Sequence, residues 1–286
     1  MGYLGYALME CVSAKEFWDR LSPENTIIPP PARFIYRGQK DAMWGLTPSV
    51  LRDGSRIING MLSGGQIGFD LQVYGELRLL EEFAKNCDSI GLRLPNDSIE
   101  FRQNILNNEK LDDYYLGRKP WPGSDLIDFM ALAQHHRVPT RLLDWTRRSY
   151  VAAYFAAADA LRNNHDGNMA VWILNTMGLA GLYPKIQLID APGSTSANLA
   201  AQSGLFTLVP EKGYRGQALK NRNLEEEFYT EAGPRLWKLT LPAKLAGDVL
   251  ELCALYSISA ATLFPGYDGA AIAVQDSIAQ WQRPRS

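Results

Sequence analysis

The densest group of side chains able to do chemistry in this 286-residue sequence runs from Gln134 to Thr146. It holds two histidines (His135, His136), two arginines (Arg137, Arg141), one carboxylate (Asp144), one indole (Trp145) and two threonines (Thr140, Thr146). Imidazoles titrate near neutral pH, guanidinium forks clamp carboxylate or phosphate, and an indole stacks on a flat ring. Structural roles are open to each group taken singly. The histidines suit a helix C-terminal cap. Asp144 suits an N-cap or an ion pair with Arg141, and Thr146 suits the same cap. Packed this closely beside an apolar segment, such groups must satisfy one another or face a cleft.

A second place is Phe34-Ile35-Tyr36-Arg37-Gly38-Gln39, where an arginine ends an apolar run and a glycine follows. Arg37 at a strand end would present a planar set of donors to an anion, and Gly38 would let backbone approach a ligand. A salt bridge before a turn is the plain alternative. Other chemistries find no support. The sequence has no Walker or dinucleotide glycine spacing, no GxSxG elbow and no HExxH. With three histidines in all, no metal site is expected.

These residues need elements to position them. Apolar spacings of three and four predict a helix from Ile67 to Ile90, with Leu77, Leu80, Ala84 and Cys87 on one face. A second helix is expected after Gly123, capped by Ser124, with Asp125 and Asp128 in its first turn, ending near His135 and His136 before Pro139. A third, Arg148 to Leu161, is apolar nearly all round and therefore buried. Helices over Leu245–Tyr256 and Asp268–Trp281 close the chain. Strands are expected at Arg33–Tyr36, Met169–Leu174 and Leu236–Leu241. Gly91–Asn108 reads as a surface loop flanking a helix, Pro192–Asn198 as an irregular loop, Gln202–Phe206 and Leu263–Gly269 as turns, and Glu225-Glu226-Glu227 as a solvated helix face. Loose alternation of the two element types gives an α+β fold, one domain with a small mixed or antiparallel sheet packed by several helices.

Composition narrows the setting. Hydrophobic residues make up 46% and charged residues 21%, with a formal net charge of -2. That excludes the surface-wide field of a general nucleic-acid binder. Cys11, Cys87 and Cys253 are odd in number and far apart, so no disulfide framework is expected and a reducing cytoplasm fits. The apolar run Val151–Ala158 stops at Asp159, well short of a membrane span, and the N-terminus matches neither a secretory signal nor a myristoylation pattern.

Four blocks carry a resemblance. They are Tyr36–Gln39 with Leu46–Arg52, then Ala133–Ala156, Ala201–Thr207 and Thr262–Gly269. In this order they resemble the FRG domain, over about residues 30 to 270. The resemblance implies an N-terminal segment at 1–29 and an FRG-like domain at 30–286. Tyr36 stands where the family's name has Phe, and Arg137 where the family often has Gly. The layout is also similar to that of ADP-ribosyltransferases, in which a first-strand arginine contacts the phosphates of NAD, a Ser or Thr segment follows, and a helix with an Ala-Phe-Ala-like run packs behind. A late-strand glutamate is missing, and Gln202 lies near its place in order. This second resemblance implies an ADP-ribosyltransferase-like sheet and a transferase or NAD glycohydrolase, with NAD as substrate and no metal. It implies a protein or nucleic-acid acceptor, no membrane, and a toxin or phage-defence role.

The site residues expected on that basis are Asp144, His136 and Gln202 for catalysis. Arg37, Gly38, Gln39, His135, Thr140, Arg141, Trp145 and Thr146 would bind the nucleotide, with Arg37 and Arg141 clamping the pyrophosphate. Two further readings stand beside it: a nuclease or phosphodiesterase acting through His135, His136, Arg141 and Asp144, and a non-catalytic nucleotide-sensing module.

Overall fold

The computed structural model describes residues 5–24, 33–52, 68–190, 197–219, 223–228 and 234–282. Ile67 and residues 192–196, where part of a helix and a loop were expected, lie outside them. Among the described residues seven strands form one mixed sheet: β1 (Ala7–Glu10), β2 (Phe34–Gln39), β3 (Leu143–Thr146), β4 (Asn168–Asn175), β5 (Gln187–Ile189), β6 (Gly204–Leu208) and β7 (Leu236–Pro242). Their order is β1-β7-β4-β2-β3-β6-β5. Among the described pairings only β1 with β7 is parallel. The fold is α+β. No helix among the described residues is long and apolar enough to cross a membrane.

The central strands are buried on both faces. Along β4, Met169, Val171 and Ile173 join one core while Trp172 and Leu174 join another. Two-residue periodicity with apolar groups on both faces is what a doubly covered strand requires. The first core holds α1 (Ala14–Leu21), α4 (Ser149–Arg162) and α5 (Ala246–Leu255). α6 (Tyr267–Trp281) packs on α4. Gly38 shows how close α4 lies to β2: a Cβ there would sit 2.0 Å from Ala152 O and 2.7 Å from Ala156 N. The other face is covered by Leu46, Leu179, Ile186, Leu224 and Phe228.

A separate core joins α2 (Phe69–Ser89) and α3 (Ile127–His135) to Phe206 and Leu208 of β6. Serine 124 does not cap this helix; Ser124–Leu126 forms a 3-10 turn ahead of it. At its other end, Val138 N donates to Ala133 O and Arg137 N to Gln134 O, with Arg137 at φ 67°. This is the paired-bond helix terminator that wants glycine at the left-handed position.

Three local expectations are corrected. Gln202–Phe206 is not simply a turn, because β6 begins at Gly204 and pairs along all of β3. β3 itself sits inside the polar cluster, where no strand was expected. Glu225 is not solvated: it is buried and accepts from Leu46 N at 2.9 Å.

Candidate functional site

β2 and β3 share a single ladder pair, Tyr36 with Thr146, and the sheet is forked beside it. Arg37 spans the fork. Its Nη1 donates to Asp144 O at 2.7 Å and lies 3.4 Å from Asp144 Oδ2. A side-chain donor thus serves a strand carbonyl that a neighbouring backbone amide would otherwise take. The Arg37 side chain is 13% exposed and that of Asp144 61%. Arg37 Nε is buried without a partner among the described residues.

Asp144 is held from its other oxygen as well, because Gln134 Nε2 donates to Oδ1 at 2.7 Å. Gln134 Oε1 accepts from the Thr140 hydroxyl, which in turn accepts from Leu142 N at 3.1 Å. Thr140 is further tied to the 46–52 segment through Ser49 Oγ and Val50 N. The end of α3 and the 46–52 segment therefore fix the carboxylate through a continuous chain of hydrogen bonds.

Arg52, at the end of that segment, is a second cation here. Burial, and next the like charge of Arg37, hold its guanidinium below its ordinary value, while Asp144 acts in the opposite sense. Two guanidinium groups thus share the field of one carboxylate, which leaves the fork with an excess positive charge suited to an anion.

One row crosses three strands at the fork: Tyr36 of β2, Thr146 of β3 and Gly204 of β6. Thr146 Oγ1 donates to Gln202 O at 2.6 Å and accepts from Arg148 N at 3.0 Å, so it stabilises the turn into α4. Arg37 follows Tyr36 of this row, and Gln202 ends the short helix two residues ahead of Gly204. The Gln202 amide itself donates to Leu263 O at 3.1 Å.

The other expected residues lie elsewhere. Arg141 does not pair with Asp144. Its Nε donates to both Glu76 oxygens, at 2.8 and 2.9 Å, and Nη1 reaches Glu211 at 3.3 Å. Trp145 is buried, donating to Thr207 Oγ1 at 2.9 Å, and has no face to offer a ligand. Gln39 is buried too, tied to Trp172 Nε1 and Gly45 O. Gly38 packs on α4. The histidines form the C-terminal cap of α3, with their rings 5.1 Å apart and that of His136 6.2 Å from Phe83. Burial, and next the charge of His136, hold His135 below its ordinary value.

Gln134, Arg52 and Glu76 were not singled out by sequence. For Glu76 a signal exists: it falls four residues before Leu80 and three after Val73, on the apolar stripe of α2. A carboxylate on a buried face needs a partner.

A family model, FRG domain, matches residues 32–165. No curated protein matches the chain, and no solved structure does. β2, the 46–52 segment, the 134–146 cluster and all of α4 fall inside the matched range, so the match identifies an FRG domain over residues 32–165.

Proposed function

We propose that the fork is an NAD site at which the bond between nicotinamide and ribose is cleaved, ADP-ribose passing to water or to a macromolecular acceptor. The observation that carries this reading is the hold of Arg37 on the exposed carboxylate of Asp144, beside the row Tyr36–Thr146–Gly204 in which the Thr146 hydroxyl donates to Gln202 O. α4, with its run Val151–Ala156, packs behind β2 as the layout of ADP-ribosyltransferases implies. Arg37 and Arg52 would hold the pyrophosphate, the second of them replacing Arg141 in that role.

Breaking the glycosidic bond sends its electron pair to the ring nitrogen of nicotinamide and leaves an oxocarbenium-like sugar. Asp144, fixed by Gln134 and Arg37, would supply the opposing negative charge. Gln202 carries no charge and would orient the ribose or acceptor through its backbone and amide. The acceptor oxygen then bonds the anomeric carbon and releases its proton. No step passes through His135, His136, Trp145 or Arg141.

The test is incubation of the protein with NAD, following nicotinamide. Release is expected, and Asp144→Asn should slow it by about a hundredfold or more. Absence of release by the wild type, or undiminished release by Arg37→Ala, would overturn the reading. One observation favours binding without turnover: both oxygens of Asp144 are already engaged. In that case NAD binds saturably, Arg37→Ala abolishes binding, and no nicotinamide appears.

A further inference from the structure

Asp144 and Leu143 point to opposite faces of β3, and a cavity of about 550 Å³ opens on the Leu143 side. Leu46, Leu143 and Val209 give it an apolar wall. Its cations are Arg141, Lys185 and Lys212, facing Glu211 and Glu227. Arg141 is the fixed member. Glu76 holds it from behind, and the remaining valences of Glu76 are taken by Trp121 Nε1 at 2.8 Å and Gln72 Nε2 at 2.7 Å. With Nε on Glu76 and Nη1 on Glu211, Nη2 is left buried with no acceptor among the described residues. An orphan guanidinium nitrogen in the interior is costly, and an acceptor brought through the cavity would relieve it. Lys185 and Lys212 make no hydrogen bond or ion pair among the described residues, whereas Glu211 is engaged with Arg141 and Glu227 has a partner. Glu76 lies outside the lining, so the wall carries one more cation than carboxylate.

We propose that this cavity is a second ligand site, separate from the Arg37 fork, which takes a small organic carboxylate: the head meets Arg141 between Lys185 and Lys212, and an apolar body lies on Leu46, Leu143 and Val209. One excess positive charge matches a singly charged head, and the mixed lining is that of a small-molecule pocket.

The experiment titrates the full chain into para-fluorobenzoate and, as the uncharged counterpart, para-fluorobenzamide, observed by fluorine NMR. Saturable binding of the benzoate is expected, with the benzamide about tenfold weaker or worse. The double variant Lys185→Ala/Lys212→Ala alters exposed side chains only, and Arg141→Lys keeps a charge on Glu76; each should weaken benzoate binding by about tenfold. Val209→Trp, which fills the space without changing charge, should abolish it. Arg37→Ala should bind benzoate as the wild type does, whatever becomes of NAD. No saturable binding by the wild type, equal binding of the benzamide, or unchanged binding by both the lysine double variant and Val209→Trp overturns the proposal. So does loss of benzoate binding in Arg37→Ala, which would make the two regions one site.

Discussion

Two arginines, each set against a carboxylate from a distant part of the chain, behave differently. Arg141 and Glu76 are 3% and 4% exposed. Arg37 is 13% exposed, but its partner Asp144 is 61% exposed. The first pair is surrounded by further partners, Trp121, Gln72 and Glu211, that account for the carboxylate and most of the guanidinium. The second has Arg52 close by and an open side toward solvent. A buried ion pair costs desolvation on both groups, and its partners make it part of the framework. A half-open pair under-neutralised by one charge keeps its field available to a ligand. Proximity in sequence hides this contrast, because Arg141 and Asp144 are only three residues apart.

The sharpest way to break the comparison is to remove one acid from each pair. Glu76→Ala leaves a buried guanidinium opposed only by Glu211, and unfolding free energy in urea should fall by about 3–5 kcal/mol. Asp144→Ala should cost no more than about 1 kcal/mol, since its partner can be hydrated, while NAD turnover is lost. Equal losses of stability would show that the fork is framework as well. The next effect is on the strand that carries Arg37. Gly38→Ala drives a methyl into Ala152 O and Ala156 N, and backbone must move. A loss of about 1–3 kcal/mol by denaturation, together with weaker NAD binding as Arg37 shifts, is expected.

What local pattern could reveal, it did. The helices α2, α4, α5 and α6 and the strands β4 and β7 follow from apolar spacing within a few residues of their bounds. What it could not reveal depends on partners far along the chain. β3 is four residues with one outward polar group, and only pairing with β2 and β6 makes it a strand. Glu225 reads as one of three surface acids, and its burial follows from an amide 179 positions away. At the site, Arg37 and Asp144 are brought together, but the step from Thr140 to Arg141 turns consecutive side chains toward different regions. Thr140 joins Gln134 and the fork; Arg141 joins Glu76 and the cavity.

Between the two arginine regions stands the end of α3, and Arg137 tests whether it serves as a hinge point for either. A left-handed φ of 67° strains any side chain with a Cβ. Arg137→Gly should therefore raise stability by about 1 kcal/mol, with NAD and benzoate binding unchanged. A loss of either binding would mean that the Arg137 side chain, and not only its backbone, belongs to a site.

The smallest effect concerns His135 in that same cap. Its folded-state value lies below the ordinary 6.5, through burial first and the neighbouring His136 charge second. Between the folded value and 6.5 the unfolded chain binds more protons than the folded one, so stability rises with pH across that window and is lost as pH falls through it. His135→Gln should flatten the curve of urea midpoint against pH just below 6.5 and leave the region above it unchanged. Glu225, pushed up by burial above its ordinary 4.5, acts with the opposite sign, its contribution declining as pH rises. The difference between variant and wild type isolates the imidazole from it. If NAD turnover by His135→Gln keeps the wild-type pH profile while the stability curve flattens, the histidines act as a helix end. A shifted turnover profile would move them into the fork.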